Sequence, residues 1–186
     1  MKIRNWLPQM GALFGKIAII CWILLLVSCQ GDRQSASKPS EVKVARVVSG
    51  QTLEVLGVAE QPDFISQVRL IGVDAPDLRQ YPWGEDAKQL LETLIGDKDS
   101  TVRLEFDLET KDNFGRTLAY VWKNNLLLNE QVLKQGYGLF GVRSLNHKYD
   151  QRLEQAQQWA RLMGEGIWDP LKPMRLTPAE FRHLNQ

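Results

Sequence analysis

Cysteine is nearly absent from this chain, and its placement excludes more than its number. The sequence holds two, Cys21 and Cys29, both ahead of the first segment that patterns as folded. A structural disulfide within the folded part is therefore excluded, as is a redox cysteine pair. Histidine is equally scarce: His147 and His183 lie far apart, no Cys/His cluster suggests zinc, and both read as ordinary surface residues. Excess charge is missing too, with 23 basic against 22 acidic residues. Without Lys2, Arg4 and Lys16, which lie in a removable leader, the basic count falls to 20 and the balance to −2. A chain so balanced has no whole-molecule field for polyanions, so any nucleic-acid affinity must come from a local basic site. There is no glycine-rich phosphate loop, no nucleophile elbow and no internal repeat.

Among 186 residues there is room for one ordinary domain and appendages, and 44% hydrophobic with 24% charged residues argues against global disorder. The leader is legible: basic residues precede an apolar run, Ile17 to Val27, too short for the roughly 20 residues a membrane-spanning helix needs but suited to a signal sequence. It ends in Leu26-Val27-Ser28-Cys29, which resembles a bacterial lipobox. That resemblance implies residues 1–28 as a cleaved signal peptide, lipidation of Cys29 and residence on an extracytoplasmic, periplasm-facing membrane surface. An uncleaved signal anchor is the other reading. Residues 29–40, polar and serine-rich, read as a flexible tether, followed by a domain over 41–170 and a proline-punctuated, peripheral tail over 171–186.

Within the domain, hydrophobic alternation predicts strands over 42–48, 52–56, 67–73, 101–106 and 117–122. Helical spacing predicts helices over about 84–95, 129–135 and 147–163, the last with Tyr149, Leu153, Ala156, Ala160 and Met163 on one packing stripe. Five strands and about three helices, mainly β, predict an α+β fold built on an OB-like five-stranded barrel.

Two fragments carry candidate chemistry. Val68-Arg69-Leu70-Ile71-Gly72-Val73-Asp74-Ala75-Pro76-Asp77 supplies an arginine and two carboxylates; Asp112-Asn113-Phe114-Gly115-Arg116 supplies a second arginine. Phosphodiester hydrolysis builds negative charge on phosphoryl oxygens, which fixed cations stabilise, and the planar arginine fork matches phosphate. Arg69 on one face with Ile71 and Val73 needs a ligand or a salt-bridge partner, and both readings stand. Asp74 and Asp77 flank Pro76 on a stiffened turn, where turn capping is the plainer reading. Trp83 and Phe114 are candidates for base stacking or for core and rim packing. The acidic group Glu105, Asp107, Glu109 and Asp112 reads as a solvated strand end and loop.

These fragments, with Ser49-Gly50-Gln51-Thr52, Tyr81 to Ala87, Arg116 to Val121, Leu128-Asn129-Glu130 and Gly166-Ile167-Trp168, resemble the thermonuclease (staphylococcal nuclease-like) family over about Val44 to Trp168. The resemblance implies that Arg69 and Arg116 contact phosphate, that Asp77 orients or activates water, and that Asp74 with the carbonyl of Ala75 binds calcium. Two departures stand out. Where the family has an aspartate, Gln51 offers an amide oxygen without charge, so a weakened calcium site is expected. Asp77 replaces a glutamate and shortens the arm by about 1 Å, a displacement that can cost on the order of 100-fold in rate. The expectation is a monomeric, calcium-dependent nuclease acting on DNA or RNA, with activity reduced by these changes and no protein partner inferred. The alternatives are a catalytically weakened module binding nucleic acid or a protein, and a structural envelope lipoprotein.

Overall fold

The alternating segments pair in a way that leaves no barrel strand unpartnered. In the computed structural model, which describes residues 40–58, 64–97, 100–141 and 144–185, the strands are β1 (Ser40–Ser49), β2 (Thr52–Leu56), β3 (Ile65–Leu70), β4 (Val73–Asp74), β5 (Thr101–Glu105), β6 (Thr117–Lys123), β7 (Leu126–Leu127) and β8 (Leu139–Phe140). The signal peptide and the lipidation at Cys29 lie outside the described residues, as does all of the tether but Ser40. One sheet runs β3-β2-β1-β5-β6-β7, and a parallel pairing of β3 with β6 closes it into a five-stranded barrel. Closure explains the doubly apolar strands: Leu53, Val55, Val68, Leu70, Ala119, Tyr120 and Val121 are all buried, one face filling the barrel and the other covered by helices. Each fully buried valine or leucine contributes roughly 1.5–3 kcal/mol.

Among the described residues four α-helices lie outside the barrel: α1 (Trp83–Ile95), α2 (Leu128–Lys134), α3 (Asp150–Met163) and α4 (Pro178–Leu184). Three were expected; the fourth lies in the segment read as a peripheral tail. α1 packs on β1, while α2 packs on β6 and α3. The α3 stripe holds at Leu153, Ala156 and Ala160, but Met163 is 56% exposed because the final turn extends past the body it packs on. α3 also starts later than its spacing predicts, at Asp150, since residues 147–149 form a turn in which His147 Nδ1 lies 2.7 Å from Asp150 Oδ2. Asn124 and Asn125, at φ 48° and 65°, make a two-residue hairpin turn between β6 and β7, a conformation asparagine tolerates better than most residues.

One difference from the sequence reading shapes the site. The strand expected over 67–73 is broken: β3 stops at Leu70, and Gly72, at φ 74°, swings the chain so that β4 pairs with β8 in a separate two-stranded sheet. Ile71 and Val73 therefore do not continue the face of Arg69. Asn129, fully buried, clamps this break: Nδ2 donates to Ile71 O (2.8 Å) and Ala119 O (3.3 Å), and Oδ1 accepts from Val121 N (2.8 Å). The turn after Asp74 is wedged equally tightly, because a Cβ on Gly84 at the start of α1 would lie 2.1 Å from Asp77 O.

Candidate active site

The two arginines meet through the barrel's closing seam. In the parallel β3–β6 pairing Arg69 lies opposite Leu118 and Val68 opposite Thr117, so Arg116, just ahead of β6, is brought beside the β3 edge. Arg69 Nη2 donates to Val73 O at 3.1 Å, bridging the Gly72 break. Arg116 is gripped harder. Asp112 Oδ2 accepts from its Nε (2.8 Å) and lies 2.7 Å from Nη2, while Oδ1 accepts from the backbone N–H groups of Phe114 and Arg116, each at 2.9 Å. Burial pushes the Asp112 carboxyl up, but the hydrogen bonds from Arg116 and Phe114 outweigh it and hold the group below the usual aspartate range. Asp112 is thus the anchor of Arg116 rather than a member of a solvated acidic cluster.

Arg69, Arg116, Gln51 and Phe114 line one cleft of about 1090 Å³. That is ample for a nucleotide unit, by comparison with ordinary ligand sites. Phe114 is 84% exposed at this cleft, its ring centre 5.2 Å from the Arg116 guanidinium, which settles it as a rim residue and not a core one. Trp83 is half-buried at the start of α1.

The carboxylates are arranged the other way round. Asp74, only 5% exposed, accepts from Arg182 Nη2 at both oxygens, 2.7 Å and 3.0 Å. Arg182 comes from α4 and lines the cleft, and Asp74 lies beneath it. Gln51 holds the β1–β2 turn against this region: its backbone carbonyl accepts from Leu70 N (2.9 Å), and its Oε1 accepts from Ala75 N (2.8 Å). Asp77 is forked by Arg79, with Nε on Oδ1 at 2.9 Å, Nη2 on Oδ2 at 3.1 Å and the Arg79 backbone N–H on Oδ1 at 3.0 Å. Those bonds from Arg79 hold the Asp77 carboxyl below its ordinary value.

A calcium ion takes six to eight oxygen ligands, several of them charged. Here Asp74 is the one carboxylate of the expected set, both its oxygens face a guanidinium, and the Gln51 amide oxygen is spent on a backbone N–H. Among the described residues no group of three or more His, Cys, Asp or Glu side chains is placed to hold a metal. In this arrangement Asp74, Gln51 and Ala75 do not fit a calcium ion.

The structure thus gathers Arg69, Arg116 and Gln51 on one cleft, sets Asp74 under its wall and leaves Asp77 on the adjoining turn. It adds residues to which the sequence reading gave no role in the site. Asp112, read as part of a solvated acidic loop, and His183, read as a surface residue, both line the cleft with Arg182, while Arg79 lies outside its lining. α4 did carry a sequence signal. Thr177-Pro178-Ala179-Glu180 is a capping box with proline at the first helical position. What could not be read was where that helix docks.

Known proteins resemble this sequence over most of its length. The family model for staphylococcal nuclease homologues matches residues 67–170. A thermonuclease of Staphylococcus hyicus is 36% identical over 167 residues, covering 85% of this chain and 95% of that protein. One from Staphylococcus intermedius is 32% identical, covering 86% and 96%. An endonuclease of Bacillus subtilis is 28% identical over 180 residues, covering 88% of this chain but 14% of its own length.

Proposed function

Since the chain belongs to the staphylococcal nuclease family, a family of phosphodiesterases, we propose that it hydrolyses phosphodiester bonds of DNA or RNA at the cleft between β3 and β6. The observation that carries this reading is the pair Arg69 and Arg116, brought from distant sequence onto one cleft by the strand pairing that closes the barrel.

In the proposed reaction the scissile phosphate lies across the two guanidinium groups, which donate to its non-bridging oxygens. Water attacks phosphorus as the ester oxygen on the far side leaves, giving a phosphomonoester and an alcohol. As charge builds on the equatorial oxygens, both arginines gain strength, and that difference between ground and transition state lowers the barrier. Asp112 keeps Arg116 in position during this change, and Val73 O does the same for Arg69. Asp77 takes the water-handling role. Held anionic by Arg79, it orients water by accepting its hydrogen bond more readily than it removes a proton, because a depressed carboxyl is a weak base. Phe114 offers an exposed ring to a base beside the bound phosphate.

The finer parts of the proposal rest on sequence. Calcium dependence rests on the carbonyl of Ala75 and on the oxygens of Asp74 and Gln51, the latter two having other partners as folded here. Membrane attachment through lipidated Cys29, a periplasm-facing location and a monomeric state rest on the leader and the composition. A second reading, a binding module that has lost its chemistry, is favoured by one observation: both candidate carboxylates are engaged by arginines of the same chain.

The test is turnover of single-stranded DNA and RNA by the full chain in detergent, with calcium and with chelator, beside the double variant Arg69→Ala/Arg116→Ala. Cleavage is expected, falling about 100-fold or more in the double variant. Binding without cleavage would shift the balance to the binding module, and neither binding nor cleavage would overturn both.

A further inference from the structure

α3 carries a second apolar side, and this one faces solvent. Trp159, Leu162 and Met163 recur at i, i+3 and i+4, so they share a side of the helix distinct from the packing stripe of Leu153, Ala156 and Ala160. Trp159 is 50% exposed, Leu162 84% and Met163 56%. Leu171, 89% exposed, is folded back to the same end. Gly164 closes the helix at φ 71°, in the left-handed region, and a Cβ placed on it would lie 3.3 Å from Pro170 Cδ. Asp169 Oδ1 then accepts from Leu171 N at 2.8 Å. None of these residues lines the cleft.

The rim of this patch is basic. Lys134, at the end of α2, has its Nζ 6.0 Å from the centre of the Trp159 ring, and the Arg161 guanidinium lies 4.9 Å from that of Trp168. Lys172 and Arg175 follow Leu171 and are exposed. Against these four cations the stretch 159–175 holds two carboxylates, Glu165 and Asp169. Further up the same side Arg152 and Glu130 neutralise each other in an ion pair. Without its leader the whole chain has a balance of −2, so this end is basic on a slightly acidic body.

Apolar tips ringed by cations suit one kind of partner. A protein partner needs a pocket shaped for each protruding side chain, whereas a lipid interface accepts apolar tips of any outline. Tryptophan is enriched at that depth, and lysine and arginine keep their charges among anionic headgroups while their stems lie against apolar surface. We propose that this end of α3, with Leu171, is a docking face for an anionic lipid surface. Trp159, Leu162 and Leu171 enter the interfacial layer, and Lys134, Arg161 and Lys172 meet the phosphate headgroups. Docking of this kind rests on the membrane-attachment reading and adds an orientation to it. Residues 29–40 reach at most about 40 Å when extended, comparable with the breadth of a domain whose radius of gyration is roughly 15 Å. Such a tether brings any face of the domain to the membrane, and the basic apolar face selects one, leaving the cleft open to nucleic acid.

The experiment uses the full chain, purified in detergent and reconstituted into nanodiscs of phosphatidylcholine, alone or mixed with phosphatidylglycerol. Benzoylphenylalanine, which cross-links to its neighbours under ultraviolet light, is placed at Leu162 in one sample and at Leu108, an exposed apolar residue of the acidic loop, in another. Lipid adducts, counted by mass spectrometry, should be about tenfold more abundant at 162 than at 108 in the anionic discs. They should fall about tenfold in phosphatidylcholine alone, and by a similar factor in Lys134→Glu/Lys172→Glu. Position 171 carries the test if the substitution at 162 does not fold. Equal adducts at the two positions, adducts indifferent to anionic lipid and to the double variant, or cross-links between two chains in place of lipid adducts overturn the docking face. Retention of the chain by the discs reports membrane attachment separately. A retained chain without adducts at 162 overturns docking alone, and a chain that the discs do not retain overturns both.

Discussion

On the β6 side of the cleft Asp112 grips Arg116, and on the β4 side Arg182 grips Asp74, with nearly the same bond lengths. The two pairs do opposite work. Asp112 lies four residues before its partner, in the same loop, and takes the Nε edge, so the arginine stays on the cleft with Nη1 lacking a protein acceptor among the described residues. Arg182 arrives from 108 residues away and covers both oxygens of the carboxylate it binds. A salt bridge within a loop organises a functional group, whereas one reaching in from a separate helix screens it. Asp77 and Arg79 lie between these cases: the pair is local, yet it ties both carboxylate oxygens.

The comparison is broken most severely at Asn129, which underlies both sides by tying the β3–β4 break to β6. Asn129→Leu strands a buried N–H and weakens two buried carbonyls, and a loss of about 3 kcal/mol is expected in urea unfolding of the domain. A cost within about 0.5 kcal/mol of zero would mean the clamp is not structural. The arginine side alone is tested by Asp112→Ala, which leaves Arg116 on its strand without its anchor. A fall of about tenfold in kcat is expected, with a melting temperature lowered at neutral pH by the lost hydrogen bonds. The same residue sets an acid limit. Because the folded Asp112 carboxyl is depressed, its contribution is fully present above the ordinary aspartate range and is lost as pH falls through the lowered folded value. Asp112→Asn should flatten the acid side of the stability profile. The smallest effect is expected at Arg79. Removing it lets the Asp77 carboxyl rise toward its ordinary value, so the acid limb of kcat/KM should move to higher pH in Arg79→Ala. A limb that stays where it was would remove Asp77 from the water-handling role.

The barrel was legible because its strands carry their own signal. Residues 52–56, 101–106 and 117–122 pattern as strands whatever lies beside them, and apolar residues on both faces foretold closure. The break at Gly72 was not legible, since Ile71 and Val73 keep the period of the strand while the backbone leaves it; only the Asn129 clamp and the pairing of β4 with β8 reveal the turn. In the candidate site Arg69 and Arg116 could be found from local motifs. Asp112 could have been, since it opens the very fragment that Arg116 closes, but its partner depends on loop geometry.

By itself the sequence determined the barrel's strands, the two arginines, the loss of charge at Gln51 and the shortened arm at Asp77. These are properties of residue type, spacing and period, which a chain carries whether folded or not. Only the tertiary structure decided that Arg116 rests on Asp112, that Asp74 lies under Arg182, and that an apparently peripheral helix forms part of the cleft wall. The physical reason is range. Hydrophobic period and turn chemistry act over a few residues, whereas an ion pair requires only that two side chains arrive within about 3 Å, and folding alone brings residue 182 to residue 74.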